Sequence, residues 1–495
     1  MKKVAQISSL TVILMLVMLN PVRVGAQNPG QQSTPTPDMS QMPDMPEMHH
    51  HGNIPVVAPH LPRLGRSQEN PTGPLIHLED LEKMALEKNP TLLEAHAEVV
   101  AAKARQVQSG LLPNPTIGYA GDEIRGGAFG GGEQGAFVSQ SVVTGGKLGL
   151  NRKIFGQDAR IAEMESREQQ LRVMNAVQIA YYRVLAAQEL LDSKKDLAGI
   201  FDEVGQTAKQ LRNVGQADES EVLLADIEQQ KRQMDVLLQE NILREQWRAL
   251  AAVVGNPDLP MGTVAGYLDR DLPDLDVNKT IETLLSDSPA VAIGQAGVDR
   301  ASAVLARARR EPIPDVEFRA GISQDGEDLN TAIHHPVGLI GFAEVGVQLH
   351  IFNRNQGNIQ AARADLDRAH AESARVELTL RERSARLLAQ YRNSRLMADE
   401  YKQQLLPRAQ KAYELLVNKY GLMTASYPEV LKVQQTLYEL QGGYIEALQE
   451  LWVNATTLQG FLLTDGLEPP ARPGEIDLPV REINVPLIEN PGGRQ

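Results

Sequence analysis

The sequence predicts a mainly α protein with a membrane β-barrel, built from duplicated halves that each hold two barrel strands and a long coiled-coil helical hairpin. Three observations predict it. Pro90, Pro113 and Pro115 recur as Pro289, Pro312 and Pro314 at a common offset of 199 residues. Two long stretches, from about Gly149 to Asn213 and from Gln356 to Tyr420, place apolar side chains at steps of three and four, the coiled-coil period. Ahead of the second stretch, runs of about ten residues alternate apolar and polar side chains, as a lipid-facing wall with a wet interior does.

The chain opens with Lys2 and Lys3, an apolar run from Leu10 to Leu19, and Val24-Gly25-Ala26 ahead of Gln27. This is the order of an export signal, so residues 1–26 are read as a signal peptide. The run is shorter than the roughly 20 residues that span a bilayer as a helix, and no later run reaches that length. A membrane contact therefore has to be made by strands. Residues 27–74 shift to Pro, Gln, Met and His without periodicity and read as a disordered leader. Residues 75–262 and 263–465 form the first and second structural repeats, and 466–495 an extended tail.

Each repeat opens with an amphipathic helix, Leu78 to Val107 in the first and Ile281 to Ala308 in the second, closed by the proline pair. Strands follow at about 115–143 and about 314–351. In the second repeat Val316, Phe318, Ala320 and Ile322 alternate with polar residues or glycine, and Ala343, Val345, Val347, Leu349 and Ile351 alternate with Phe342, Glu344, Gly346, Gln348 and His350. On this pattern alone a soluble hairpin packed on helices also fits. The helical hairpins run over about 147–255 and about 356–462. A rod of about 65 residues is about 100 Å long. Pro407 is the flaw in the second rod and predicts a kink or a loosened turn.

Gly215 closes the first rod, Asp218 or Ser220 caps the return helix, and Leu223, Ile227, Met234 and Leu237 resume the stripe. In the second hairpin Leu405, Ala409, Ala412, Leu416 and Tyr420, then Val430, Val433, Leu437, Leu440, Tyr444, Leu448 and Leu451, do the same. The matching pairs here, Gln140 with Gln348 and Glu221-Val222-Leu223 with Glu429-Val430-Leu431, lie 208 residues apart, so nine residues are inserted between Pro314 and Gln348.

The chain has 495 residues, 49 basic and 63 acidic side chains, a net charge of -14 and no cysteine. The acidic balance argues against nucleic acid as the main partner, and the missing cysteines exclude disulfides, thiolate metal sites and a lipidated N-terminal cysteine. No Walker loop, zincin helix or nucleophile elbow is present, and the pattern calls for no enzyme and no cofactor. Four strands cannot close a barrel, which needs about eight, and an open sheet in lipid is forbidden. Several copies must therefore contribute strands, and a ring of them forms a duct.

The duplicated plan, the proline pairs and Arg212-Asn213-Val214-Gly215-Gln216-Ala217-Asp218-Glu219-Ser220-Glu221-Val222-Leu223 resemble the TolC family of outer-membrane efflux ducts over about residues 75 to 465. Leu405-Leu406-Pro407-Arg408-Ala409 and Tyr420 through Leu431 are similar to its heavy-metal, CzcC-like branch. The resemblance implies a homotrimer with a 12-stranded barrel in outer-membrane lipid and a periplasmic helical tunnel. Its partners would be a periplasmic membrane-fusion adaptor and an inner-membrane pump of the resistance-nodulation-division type. It further implies adaptor-docking tips at Val214, Gly215 and Gln216, and at Met423, Ser426 and Tyr427. Here the chain departs from the family: Met423 stands where the second turn's glycine is expected, and Gly421 comes two residues early.

Asp218, Glu221 and Glu429, repeated by symmetry, would ring the tunnel mouth and favour cations; they also suit plain capping and solvated surface. Met45, Met48, His49, His50 and His51 in the leader offer thioether and imidazole ligands to soft or borderline metals, or simply enrich a linker. Two other readings fit parts of the pattern. A periplasm-spanning coiled-coil spacer accounts for the rods, and a secreted metal-binding protein for the leader. Cargo, from metal ions to drugs, is not written in these residues.

Overall fold

The computed structural model describes residues 73–469, apart from 123, 125–131, 216, 329–335 and 423, together with residue 64. The export signal and the whole Met/His leader, with Met45, Met48 and His49 to His51, lie outside the described residues.

A two-residue strand β1 (Leu75–Ile76) leads into α1 (Leu78–Lys88) and α2 (Pro90–Ser109). Strands β2 (Thr116–Asp122) and β3 (Glu133–Val142) precede the rod α3 (Lys147–Asn213) and its return helix α4 (Glu219–Val253). After β4 (Thr263–Val264) the order recurs: α5 (Val277–Asp287), α6 (Pro289–Arg310), β5 (Val316–Asp328), β6 (Pro336–Val347), α7 (Gln356–Glu400), α8 (Leu406–Gly421) and α9 (Tyr427–Gln459).

Three expectations need correction. The opening helix of each half is two helices, because Asn89 and Ser288 take extended backbone ahead of their prolines. Asn89 fastens the break, accepting from the Thr91 N–H at 3.0 Å and donating to the Val253 carbonyl at 2.8 Å. The last strand ends at Val347, so Leu349 and Ile351 lie beyond the sheet. Third, Leu223, Ile227, Met234 and Leu237 face away from the chain's own core; α4 packs through Val222, Leu243, Trp247 and Leu250 instead. In the second rod the expected stripe is divided, Leu405 and Ala412 being exposed and Ala409, Leu416 and Tyr420 half-buried, while Tyr413 is the buried side chain of α8.

The second rod is loosened where Pro407 forecast it. Residues Tyr401–Leu405 form a π-turn between α7 and α8, and Pro407 sits in the first turn of α8. The partner helix makes room: a Cβ on Gly443 would stand 2.6 Å from the Tyr401 hydroxyl.

The core lies midway along the rods. Val173, Val177, Val184 and Leu185 of α3 meet Leu250 of α4, Ile445, Leu448 and Leu451 of α9, and Leu81 of α1. Nearer the tips, Leu197, Ile200 and Phe201 of α3 pack on Tyr438 and Leu431 of α9. The helices form two layers, α4-α3-α9-α7/α8 towards the tips and α2-α3-α6-α7 towards the sheet. The sheet runs antiparallel in the order β2-β3-β5-β6. Sheet and layer are tied where they meet, Lys147 of α3 reaching Asp315 at 3.0 Å while the Thr144 N–H donates to the same carboxylate at 2.8 Å.

Candidate functional site

At the first tip α3 ends with the Gly215 N–H donating to the Arg212 carbonyl at 2.9 Å. Gly215 has φ +75 and open space around it, so it is required for backbone conformation rather than for packing. Val214 stands 69% exposed. Asp218 is the N-cap of α4, accepting from the Glu221 N–H at 2.9 Å. The Ser220 hydroxyl, and then that N–H, hold its carboxyl below the usual carboxylate range. Arg212 pairs with Glu219 across the turn at 2.9 Å. Gln216 lies outside the described residues.

The second tip is closed by different means. Thr424 donates both its N–H (2.9 Å) and its hydroxyl (3.0 Å) to the Lys419 carbonyl. Ser426 and Glu429 form a reciprocal capping box, the Ser426 N–H donating to Glu429 Oε2 at 2.9 Å. Tyr427 is half-buried and tilted against Tyr420 at 5.7 Å, and burial, then Tyr420 and Glu203, push its phenol up to about 12. Gly421 remains helical, without the left-handed backbone of Gly215. Met423 lies outside the described residues.

Asp218, Glu221 and Glu429 are all exposed, and among the described residues no hydrogen bond or ion pair joins the acidic groups of the two tips. Asp218 and Glu429 are engaged as caps, while the Glu221 carboxylate faces solvent. No helix is long and apolar enough to cross a membrane, and no group of three or more His, Cys, Asp or Glu is placed to hold a metal ion among the described residues.

The sheet has two unlike faces. Strand register lines up Ile117, Val138, Ala320 and Ala343, then Tyr119, Ala136 and Ile322, then Phe318 and Val345, on one side. That side is apolar yet open, with Ile117 81% and Val345 68% exposed. Glutamines stand at both ends of this side, Gln134 and Gln324 at one and Gln140 at the other, where it donates to the Pro113 carbonyl at 2.7 Å. The opposite side carries Asp122, Glu133, Ser139, Glu317, Arg319, Ser323, Asp325 and Glu344. An open apolar face backed by a charged one suits a wall between lipid and water.

Both layers also end in unpaired edges. The sheet ends in β2 and β6, and the helices end in α2 and α4 on one side and α7 and α8 on the other. Leu93, Leu224, Leu237, Leu378 and Leu415 on these edge helices are exposed.

Two features escaped the sequence reading. Phe137 shares the charged face with Phe342, which the alternation had already set there, and nothing in either strand's own sequence brings the two together. Glu165 of α3 is buried with neither carboxylate oxygen hydrogen-bonded, and burial, then Glu168, Glu98 and Asp158, push its carboxyl up to about 7. In sequence it looks like any acid on a helical surface.

The profile of the outer membrane efflux protein family matches residues 81–256 and 280–462. The cobalt-zinc-cadmium resistance protein CzcC of Cupriavidus metallidurans is 25% identical over 390 residues, spanning 79% of this chain and 90% of that protein. The outer membrane protein VceC of Vibrio cholerae superposes with a TM-score of 0.62 at 17% identity, covering 78% of this chain and 96% of its own. The open state of the Neisseria gonorrhoeae MtrE outer membrane channel superposes at 0.62 with 16% identity, covering 79% and 90%.

Proposed function

Because the chain belongs to the outer membrane efflux protein family, we propose that it is the outer-membrane channel component of a tripartite efflux pump, moving small solutes outward through a trimeric duct. The protein is one of the outer membrane, TolC-like in fold. Three copies would join β6 of one to β2 of the next, giving a 12-stranded barrel, and the same closure would set α7 and α8 against the neighbour's α2 and α4 to form a periplasmic tunnel. The two halves are copies of one unit, and residues 1–26 direct export. The single observation that carries this reading is that sheet and helical layers both stop at unpaired edges among the described residues, and the edge helices carry exposed apolar side chains.

In this reading the tips dock on a periplasmic membrane-fusion adaptor that is fed by an inner-membrane pump of the resistance-nodulation-division type. Val214, Gly215, Gln216, Met423, Ser426 and Tyr427 form the docking surface. Asp218, Glu221 and Glu429 ring the mouth. Heavy-metal cations are the cargo that the similarity to CzcC supports, and Met45, Met48 and His49 to His51 would catch such metal ahead of the barrel.

Planar-bilayer conductance of the purified protein tests the duct, with multivalent cations added on the tip side. The expected result is block by those cations that is relieved in a variant carrying Asp218→Asn, Glu221→Gln and Glu429→Gln. A folded protein that never conducts would return the field to the periplasmic spacer. Val214→Asp tests docking without disturbing the left-handed turn at Gly215: it should weaken adaptor binding while assembly persists, and unchanged binding would remove Val214 from the interface.

A further inference from the structure

Among the described residues of the four barrel strands, Arg319 is the sole basic side chain, and it stands on the face that carries Asp122, Glu133, Glu317, Asp325 and Glu344. Its surroundings are built. The guanidinium carbon lies 4.2 Å from the Phe137 ring centroid and 5.7 Å from that of Phe342, and Nη1 lies 3.8 Å from Glu344 Oε2. The two aromatic rings in turn lie over glycines of the adjacent strands. A Cβ on Gly118 would stand 2.5 Å from the Phe137 ring, and one on Gly321 would stand 2.7 Å from the Phe342 ring. Phe137 and Phe342, on the face that carries the charged side chains, thus have a common use, holding one cation in place. The Arg319 side chain stays 40% exposed, so its charge is presented to water.

Resting on the duct reading, we infer that Arg319, clamped between Phe137 and Phe342, is a fixed positive charge inside the barrel that limits its preference for cations. A tube lined only by carboxylates holds cations at each acidic site, and conduction requires that binding be weak enough for the ion to leave. A positive charge fixed at the wall acts across about 10 Å at 0.1 M salt.

The test is the reversal potential of the full-length protein in planar bilayers under a salt gradient, for the parent, Arg319→Gln and Arg319→Lys. In dilute salt Arg319→Gln should shift the reversal potential towards stronger cation preference, while Arg319→Lys stays near the parent. The shift should shrink in 1 M salt, where screening shortens to about 3 Å. A conducting Arg319→Gln channel with the parent's reversal potential in dilute salt would overturn the inference and leave the duct reading standing. A shift in Arg319→Lys as large as that in Arg319→Gln would overturn it too, since the charge would not be its cause. A parent protein that does not conduct would overturn both.

Discussion

Along α9, Val430, Leu437, Tyr444, Leu448 and Leu451 are buried within the chain, whereas along α4 Leu223, Ile227, Met234 and Leu237 are each more than half exposed. The two return helices follow the same step of three and four and run back along a rod, though they leave differently closed turns. The difference is position in the layer. Among the described residues the α9 helix packs along both α3 and α7, whereas α4 packs along α3. An amphipathic stripe therefore reports that a helix needs a neighbour without saying whether that neighbour belongs to the same chain.

The sharpest way to break this comparison is to charge the outward stripe. Ile227→Asp with Leu237→Asp should abolish assembly and conductance while the circular dichroism of the chain stays helical; an assembled, conducting variant would mean that α4 has no subunit partner. The inward stripe should respond in the other currency. Leu448→Ala, at a fully buried position, should cost about 3 kcal/mol of stability, seen in denaturant titration, against less than about 0.5 kcal/mol for an exposed position in the isolated chain.

Further up α3, Glu165 separates a pH effect from a packing effect. The neighbours that raise its carboxyl each have a cation of their own, Glu168 with Arg172, Glu98 with Arg105 and Asp158 with Arg300, and Glu165 has none. Its folded pKa of about 7 lies above the ordinary 4.5. The folded state is therefore favoured most below about pH 4.5 and loses stability as pH rises to about 7. Glu165→Gln should remove that slope and stabilise the protein by about 2 kcal/mol at pH 8, read from melts across the pH range. An unchanged slope would place the titration elsewhere.

The smallest effect is at the turns. Ser426→Ala removes half of a capping box and should cost about 1 kcal/mol, while at the first tip Asp218 loses its capping hydrogen bonds only as pH falls through its depressed pKa. The second hairpin should accordingly fray first in the Ser426 variant, visible as faster amide exchange at Glu429 and Val430.

Much of this architecture was legible in the residues. The proline pairs mark where strands begin, the proline-free run over Lys147 to Asn213 is a single helix, and Pro407 marks the loosened second rod. Missing glycine at Met423 announced that the second turn would differ, and it closes through Thr424 and a capping box where the first uses Gly215. The extended backbone at Asn89 and Ser288 was less visible, because a proline at the start of a helix and one inside it look alike until the preceding residue's backbone is known. The Arg319 clamp was hidden for another reason. It depends on strand register, which sets Phe137 opposite Gly118 and Gly321 opposite Phe342, and no single strand's pattern holds that information.

If one chain is a third of a closed wall, the mass of the detergent-solubilised particle shows it most directly. Native mass spectrometry of the purified protein should give three copies of a chain whose full length weighs 54.3 kDa, each reduced by the cleaved signal. A folded, helical particle with the mass of a single chain would contradict it, leaving the apolar edges of α4 and α8 and the open strands β2 and β6 without the neighbour that explains them.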